Sequence, residues 1–198
     1  MDVTTAILTR RSQQVLDGPS PGDEEFIHLV RDASAAPDHG RLRPWRFVLL
    51  RGDDRDVLGN ALAEDAEDEQ NARQLTAKLH RAPLTAILVF SPHAGHRIPE
   101  WEQLAAASCM THSLMLLLHS RGYGSIWRTG RLARSASARA VLGLVEGEQL
   151  LGSLDIGTPD PASLHTRRPQ EDVSARVTLF RDVIRHETAK VPVGSHAA

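Results

Sequence analysis

The chain has 198 residues, 41% of them hydrophobic and 24% charged, with a formal net charge of −2. That balance suits one globular domain with a sizeable core and lacks the basic field that nucleic-acid binding needs. A lone cysteine, Cys109, excludes an intrachain disulfide and CxxC metal or redox motifs.

No stretch reaches the roughly eighteen apolar residues of a membrane span. The opening MDVTTAILTRRS has no basic region followed by a long apolar run, so no secretory signal is read and a cytoplasmic protein is expected.

In chain order, residues 3–12 read as a short helix ending in Arg10-Arg11-Ser12. SPGDEEFIHLVRDASAA reads as a second helix. Asp23, Glu24 and Glu25 suit its first turn, where the helix dipole favours anions, and Phe26, Leu29, Val30 and Ala33 share one face. RFVLLR reads as a short buried strand. Residues 54–80 read as a helical, largely exposed segment whose charge run is a solvated face. LTAILVF reads as a second buried strand.

PEWEQLAAASCMTHSLMLLLHSRG is the strongest helical pattern, with Pro99 placed for its start and Gly122 for its stop. Leu104, Cys109, Leu114, Leu117 and Leu118 supply its apolar surface, which makes Cys109 an inert core residue. YGSIWRTG follows as a strand or turn and SASARAVLGL as a short helix. LLGSLDIGTP reads as a third strand ending in a Gly-Thr-Pro turn. From about Pro161 the chain is polar, and its tip VPVGSHAA is expected to be disordered. Helices alternate with short apolar strands, which points to an α/β or α+β class without a clean domain boundary.

Three stretches carry chemistry. In TRRS, residues 9–12, two guanidiniums and a hydroxyl can grip a phosphate, although a solvated helix end fits the same residues. In APDHGRLRPWRF, residues 36–47, His39, Arg41 and Arg43 precede Pro44-Trp45. Pro44 bars Arg43 from the α region, so an extended chain is expected to enter the strand with its side chains at an edge, where ligand contacts are common. The plainer reading makes Trp45 core and the arginines solvated.

In GYGSIWRTGR, residues 122–131, the glycines permit close backbone approach and Trp127-Arg128-Thr129 set an aromatic, a cation and a hydroxyl side by side. The stretch is neither a GxGxxG nor a Walker loop. His93 and His96 have a metal-like spacing but no third ligand, so no metal is assigned. Glu100 and Glu102 sit two apart on a helix and do not share a face. An anionic small ligand accounts for all three arginine-bearing junctions. Spacing does not identify it.

Taken in order, RRS, APDHGRLRPWRF, RAPLTAILV, PEWEQLAAASCMTHSLMLLLHSRGYGSIWRTG and LLGSLDIGTP resemble the nitroreductase family of FMN-dependent oxidoreductases. The likeness is strongest to its compact YdjA-type subgroup of NAD(P)H nitroreductases. It spans about residues 1–180 as one FMN-binding domain and leaves 181–198 as a C-terminal extension or tail. The resemblance implies an α+β fold (an α/β sandwich) with a central, mainly antiparallel sheet flanked by helices. It also implies an intertwined homodimer holding FMN at the subunit interface. The apolar LAAASCMTHSLMLLL helix, with more apolar surface than one small core requires, agrees with such pairing. RDVIRHETAK is read as an added helix wrapping a partner subunit or as a loose tail.

By the same resemblance, Arg10, Arg11 and Ser12 match the motif that binds the FMN phosphate and ribityl chain. His39 matches a residue reaching the flavin held mainly by the other subunit. Trp127, Arg128 and Thr129 match the segment lying against the flavin, and Leu117 to Gly122 the stretch associated with the nicotinamide nucleotide. Two departures stand out. The family's QPW glutamine is Arg43, and an arginine usual four positions before the histidine is Ala35. Arg41 or Arg43 is read as replacing that contact with FMN.

The implied reaction passes electrons from NAD(P)H, as co-substrate, through bound FMN to a nitroaromatic, quinone or similar acceptor by a ping-pong mechanism. The flavin carries the hard step and no side chain is assigned as catalytic. Arg10 and Arg128 are both open as cations stabilising charge that develops on reduction. Two other readings share these residues: a different flavin reaction (dehydrogenation, dehalogenation or flavin fragmentation), or a non-catalytic flavin-binding protein.

Overall fold

The computed structural model describes residues 1–65, 68–130, 132, 135–163 and 168–181. The chain divides into two compact units, Met1–Arg167 and Arg168–Ala198. In the second, the described part holds a 3-10 turn, Ser174–Arg176, and the Ser174 N–H donates to the Asp172 carboxylate at 2.8 Å. VPVGSHAA, and RDVIRHETAK beyond Arg181, lie outside the described residues.

The first unit is built on an open antiparallel sheet. Its backbone is β5 (Gln149–Pro159), which takes β3 (Leu84–Phe90) along one edge, with β2 (Trp45–Leu50) beyond it. The other edge of β5 takes β4 (Gly124–Arg128) and then, at its tip, the two-residue β1 (Leu16–Asp17). Every ladder is antiparallel, so the α+β expectation holds.

Alternation along β3 explains the two layers. Leu84, Ala86 and Leu88 point to one face, where α2 (Asp23–Ala33) and α5 (Glu100–Ser120) cover them with Phe26, Leu29, Met110, Leu114 and Leu118. Ile87 and Val89 point to the other face, where α3 (Asp54–Glu64) and α6 (Ala136–Val141) bring Leu58, Leu62 and Ala138. LTAILVF is thus buried on both faces, as its unbroken apolar run implied.

Four expectations are corrected. α1 (Val3–Thr9) stops before the arginines, and Arg10 already has extended backbone, φ −56° and ψ 132°. Residues 54–80 are not one exposed segment. They form α3 and α4 (Glu69–Leu79), and α3 buries Ala61 and sets Leu58 and Leu62 in the second core. Gly157-Thr158-Pro159 is paired strand rather than turn, because β1, too short to leave a pattern, adds to it. Cys109 is exposed.

The last correction has a plain cause. α5 is apolar all round, so periodicity could not choose its inner face. The sheet selected Gln103, Ala106, Met110, Leu114 and Leu118, and left Trp101, Leu104, Cys109 and His112 outside. Among the described residues, no helix is long and apolar enough to cross a membrane.

Candidate functional site

Two cavities are lined by successive parts of β4. One, of about 350 Å³, is walled by Arg10, Arg11, Gln13, His119, Tyr123 and Ser125. The other, of about 640 Å³, is walled by Lys78, Arg81, Trp127, Arg128, Ser153 and Asp155. Both volumes fall in the roughly 300–1,000 Å³ range of small-molecule sites. The chain leaving α1 runs parallel to β4, with Ser12 bridged to Ser125 and the Gln13 N–H donating to the Ser125 carbonyl at 3.2 Å. This brings the RRS motif and the WRT segment onto one strand edge.

Arg11 turns its guanidinium back on α1, donating to the Leu8 and Arg10 carbonyls at 2.9 and 3.0 Å. α1 is tied to the end of α5 by Thr9 Oγ1 and His119 Nε2 at 2.8 Å. Burial, and then the nearby Arg10 and Arg11 charges, hold the His119 pKa below its ordinary value, which favours a neutral imidazole. The Tyr123 hydroxyl donates to Glu25 at 2.9 Å. Its pKa is raised, by burial first and then by that bond.

Trp127 and Arg128 point to opposite faces of the sheet. The Trp127 indole N–H donates to the Leu151 carbonyl at 3.0 Å, and its ring packs on the α5-side core. A bulge in β5 makes room for this. Pairing skips Leu151, and Gly152 adopts φ +117°, where an added Cβ would run into the Arg128 carbonyl. Arg128 lies on the far face, its Nε donating to Asp155 Oδ2 at 2.6 Å and its Nη2 reaching Gln14 Oε1 at 3.5 Å.

Asp155 is buried, and burial raises its carboxyl pKa against the pull of Arg128. Directly across the ladder stands Thr85, whose buried hydroxyl has no hydrogen-bond partner among the described residues. Thr129 is exposed where β4 ends.

His39 and Arg41 lie elsewhere, on a 3-10 turn against the start of α5. His39 Nδ1 meets Glu102 at 2.8 Å. Asp38 shapes this loop: its carboxylate accepts the Leu42 and Arg43 N–H groups at 3.1 and 2.8 Å. Arg43 is indeed barred from the right-handed α region by Pro44. It is not extended, however. It sits in the left-handed region at φ 49°, as Arg41 does at φ 53°, because the Asp38 clasp winds the loop tightly. Gly40, at φ 77°, lies where an added Cβ would meet Ile98 at 2.7 Å.

The structure therefore gathers Arg10, Arg11, Ser12, Trp127, Arg128 and Thr129 around β4, and sets His39 and Arg41 at the opposite end of α5. From Glu102 to His119 is seventeen residues of that helix, roughly 25 Å at its ~1.5 Å rise. Sequence reading missed Lys78, Arg81, Gln14 and Asp155, whereas His119 lies inside the Leu117 to Gly122 stretch that the resemblance tied to the nicotinamide nucleotide. Only Asp155 left a signal, as a charge inside the apolar strand LLGSLDIGTP.

The sequence profile of the nitroreductase family matches residues 7–158. The chain belongs to the nitroreductase family. YdjA of Escherichia coli (strain K12), which carries an NAD(P)H nitroreductase name, is 31% identical over 163 residues, covering 80% of this chain and 89% of its own. A similarly named protein of Haemophilus influenzae is 29% identical over 164 residues, with the same coverage of both chains.

Among solved structures, a nitroreductase-like protein of Bacillus cereus matches with a TM-score of 0.80 at 23% identity, covering 91% of this chain and 96% of that one. The FMN- and NADPH-dependent nitroreductase NfnB of a Sphigopyxis strain matches with a TM-score of 0.70 at 20% identity, covering 90% and 99%. At these identities the two structures speak for the fold.

Proposed function

We propose that this family member is an FMN-dependent oxidoreductase, with FMN held along β4 at the interface of a homodimer. The donor set fits the cofactor. Arg10 and Ser12 offer a guanidinium and a hydroxyl to a phosphate and ribityl chain. Arg128 and Thr129 offer polar groups to the ring, and among the described residues nothing lies within 4 Å of a Cβ added at Gly130. Bound FMN would supply the electron-carrying chemistry, taking electrons from NAD(P)H and passing them to a nitroaromatic, quinone or similar acceptor in a ping-pong cycle. The chain's own part is to bind, orient and offset charge. The Arg128 guanidinium, held at the cavity wall by Asp155, favours negative charge placed beside it.

The observation that carries the dimer is the separation along α5. His39 cannot reach the Arg10 end of its own subunit across roughly 25 Å. A twofold pairing that lays two α5 helices antiparallel brings the His39 of one chain to the Arg10 of the other. The outward stripe of α5 supports that pairing, with Trp101 69% and Leu104 39% exposed.

Anaerobic mixing of the FMN-loaded protein with NADH or NADPH should bleach the flavin absorbance, and a nitroaromatic should restore it. Protein that takes up no FMN, or FMN that neither nucleotide bleaches, refutes the reading. Trp101→Glu should shift light-scattering mass toward the monomer and weaken FMN binding at least tenfold. A dimer that stays intact with undiminished affinity counts against the shared site.

A further inference from the structure

The 640 Å³ cavity contains one carboxylate that neither the family motif nor the proposed reaction assigns. Asp155 is 3% exposed and sits mid-strand on the face turned toward α3. A carboxylate buried there costs free energy unless it is well paired. One short bond, from Arg128 Nε, is its hydrogen bond to a cation.

That bond occupies the inner edge of the Arg128 guanidinium. The outer nitrogens remain, Nη2 lying 3.5 Å from Gln14, and Arg128 lines the cavity together with Gly130. The arrangement is directional: the carboxylate grips Nε, and the planar fork of Arg128 faces the cavity. It is also close to neutral, because a negative charge stands behind the positive one.

Lys78 and Arg81 line the same cavity, so among the described residues of its wall Asp155 is the carboxylate set among three cations. A carboxylate behind the fork offsets part of the field those cations exert on a bound group, and it acts through a medium of low dielectric where charge counts for more than in water.

We infer that Asp155 is a positioning residue for the cofactor: it orients Arg128 toward the flavin and, by its charge, lowers the reduction potential of the FMN bound there. The inference rests on the FMN reading above. It concerns how the protein sets the driving force of the reaction rather than which group is bound.

The test is a midpoint potential, measured by anaerobic dye equilibration on FMN-loaded protein, together with the FMN dissociation constant by fluorescence. Asp155→Asn keeps the shape and removes the charge. It should raise the potential, shifting the oxidised-to-reduced equilibrium at least tenfold, about 30 mV for a two-electron couple. Arg128→Gln should shift it the other way by a similar factor, and this second variant keeps the test open if the first does not fold.

A purely structural role for Asp155 predicts a changed melting temperature with an unmoved potential. Both variants within threefold of wild type overturn the inference while leaving the FMN reading intact. Wild-type protein that binds no FMN overturns both.

Discussion

Two arginine–carboxylate pairs of nearly the same length behave in opposite ways. Arg46 and Glu148 join β2 to the turn before β5 at 2.7 Å, and Arg128 and Asp155 join β4 to β5 at 2.6 Å. Glu148 accepts both Nε and Nη2 of Arg46, the Ser91 hydroxyl at 2.6 Å and the Val145 N–H at 3.1 Å. Chiefly through the Arg46 bond, its pKa falls to about 2. Asp155 has the Arg128 bond and deep burial, and burial wins, so its pKa rises. A carboxylate with all its lone pairs engaged is structural. Asp155, with one guanidinium bond against deep burial, has fewer bonds to offset the loss of water.

The largest effect expected from breaking this contrast is at the structural pair. Glu148→Ala should cost about 3 kcal/mol, since it strands Arg46 and two further donors. The midpoint of denaturant unfolding should fall with an unchanged slope, and FMN affinity should hold.

The next effect is pH dependence, where the two carboxylates have opposite signs. Because the folded pKa of Glu148 is lowered to about 2, its contribution is complete above the ordinary carboxylate range and is lost as pH falls toward about 2. That contribution is about 2 kcal/mol after allowing for the partly exposed Arg46. Because the folded pKa of Asp155 is raised from 3.8, its contribution is present below that value and is lost as pH climbs through the raised one. The stability gap between wild type and Glu148→Gln should therefore widen as pH rises from about 2, whereas the gap between wild type and Asp155→Asn should narrow from about 4 upward. Urea unfolding across that range reads both, and slopes of the same sign would dissolve the contrast.

At neutral pH, Asp155→Asn should change stability by no more than about 1 kcal/mol, since it relieves a buried charge while keeping an acceptor for Arg128. A loss matching that of Glu148→Ala would make the second pair structural too. The smallest effect is at Thr85, beside Asp155 on the ladder. Thr85→Val removes a buried hydroxyl that has no partner among the described residues and should stabilise by about 0.5 kcal/mol, read as a small rise in melting temperature.

Local pattern carried the elements that depend on nearest neighbours. The α2 face of Phe26, Leu29 and Ala33, the LTAILVF strand and the Pro99-to-Gly122 helix limits were all legible, because burial periodicity and chain punctuation are written at short range. The ordered motifs were legible as well, and the nitroreductase fold followed from them. β1 was not, since two residues hold no period, and neither was the exposed side of α5, since a helix apolar on all faces does not say which one meets the sheet.

The sequence by itself determined the class of fold and the set of arginines that could face an anion. Only the tertiary structure decided that His39 and Arg10 stand at opposite ends of one helix, that Arg41 and Arg43 turn left-handed under Asp38, and that Asp155 lies behind Arg128. Those facts depend on contacts between residues 27 to 110 positions apart, or on a clasp that tertiary packing seats, and no local periodicity encodes such distances.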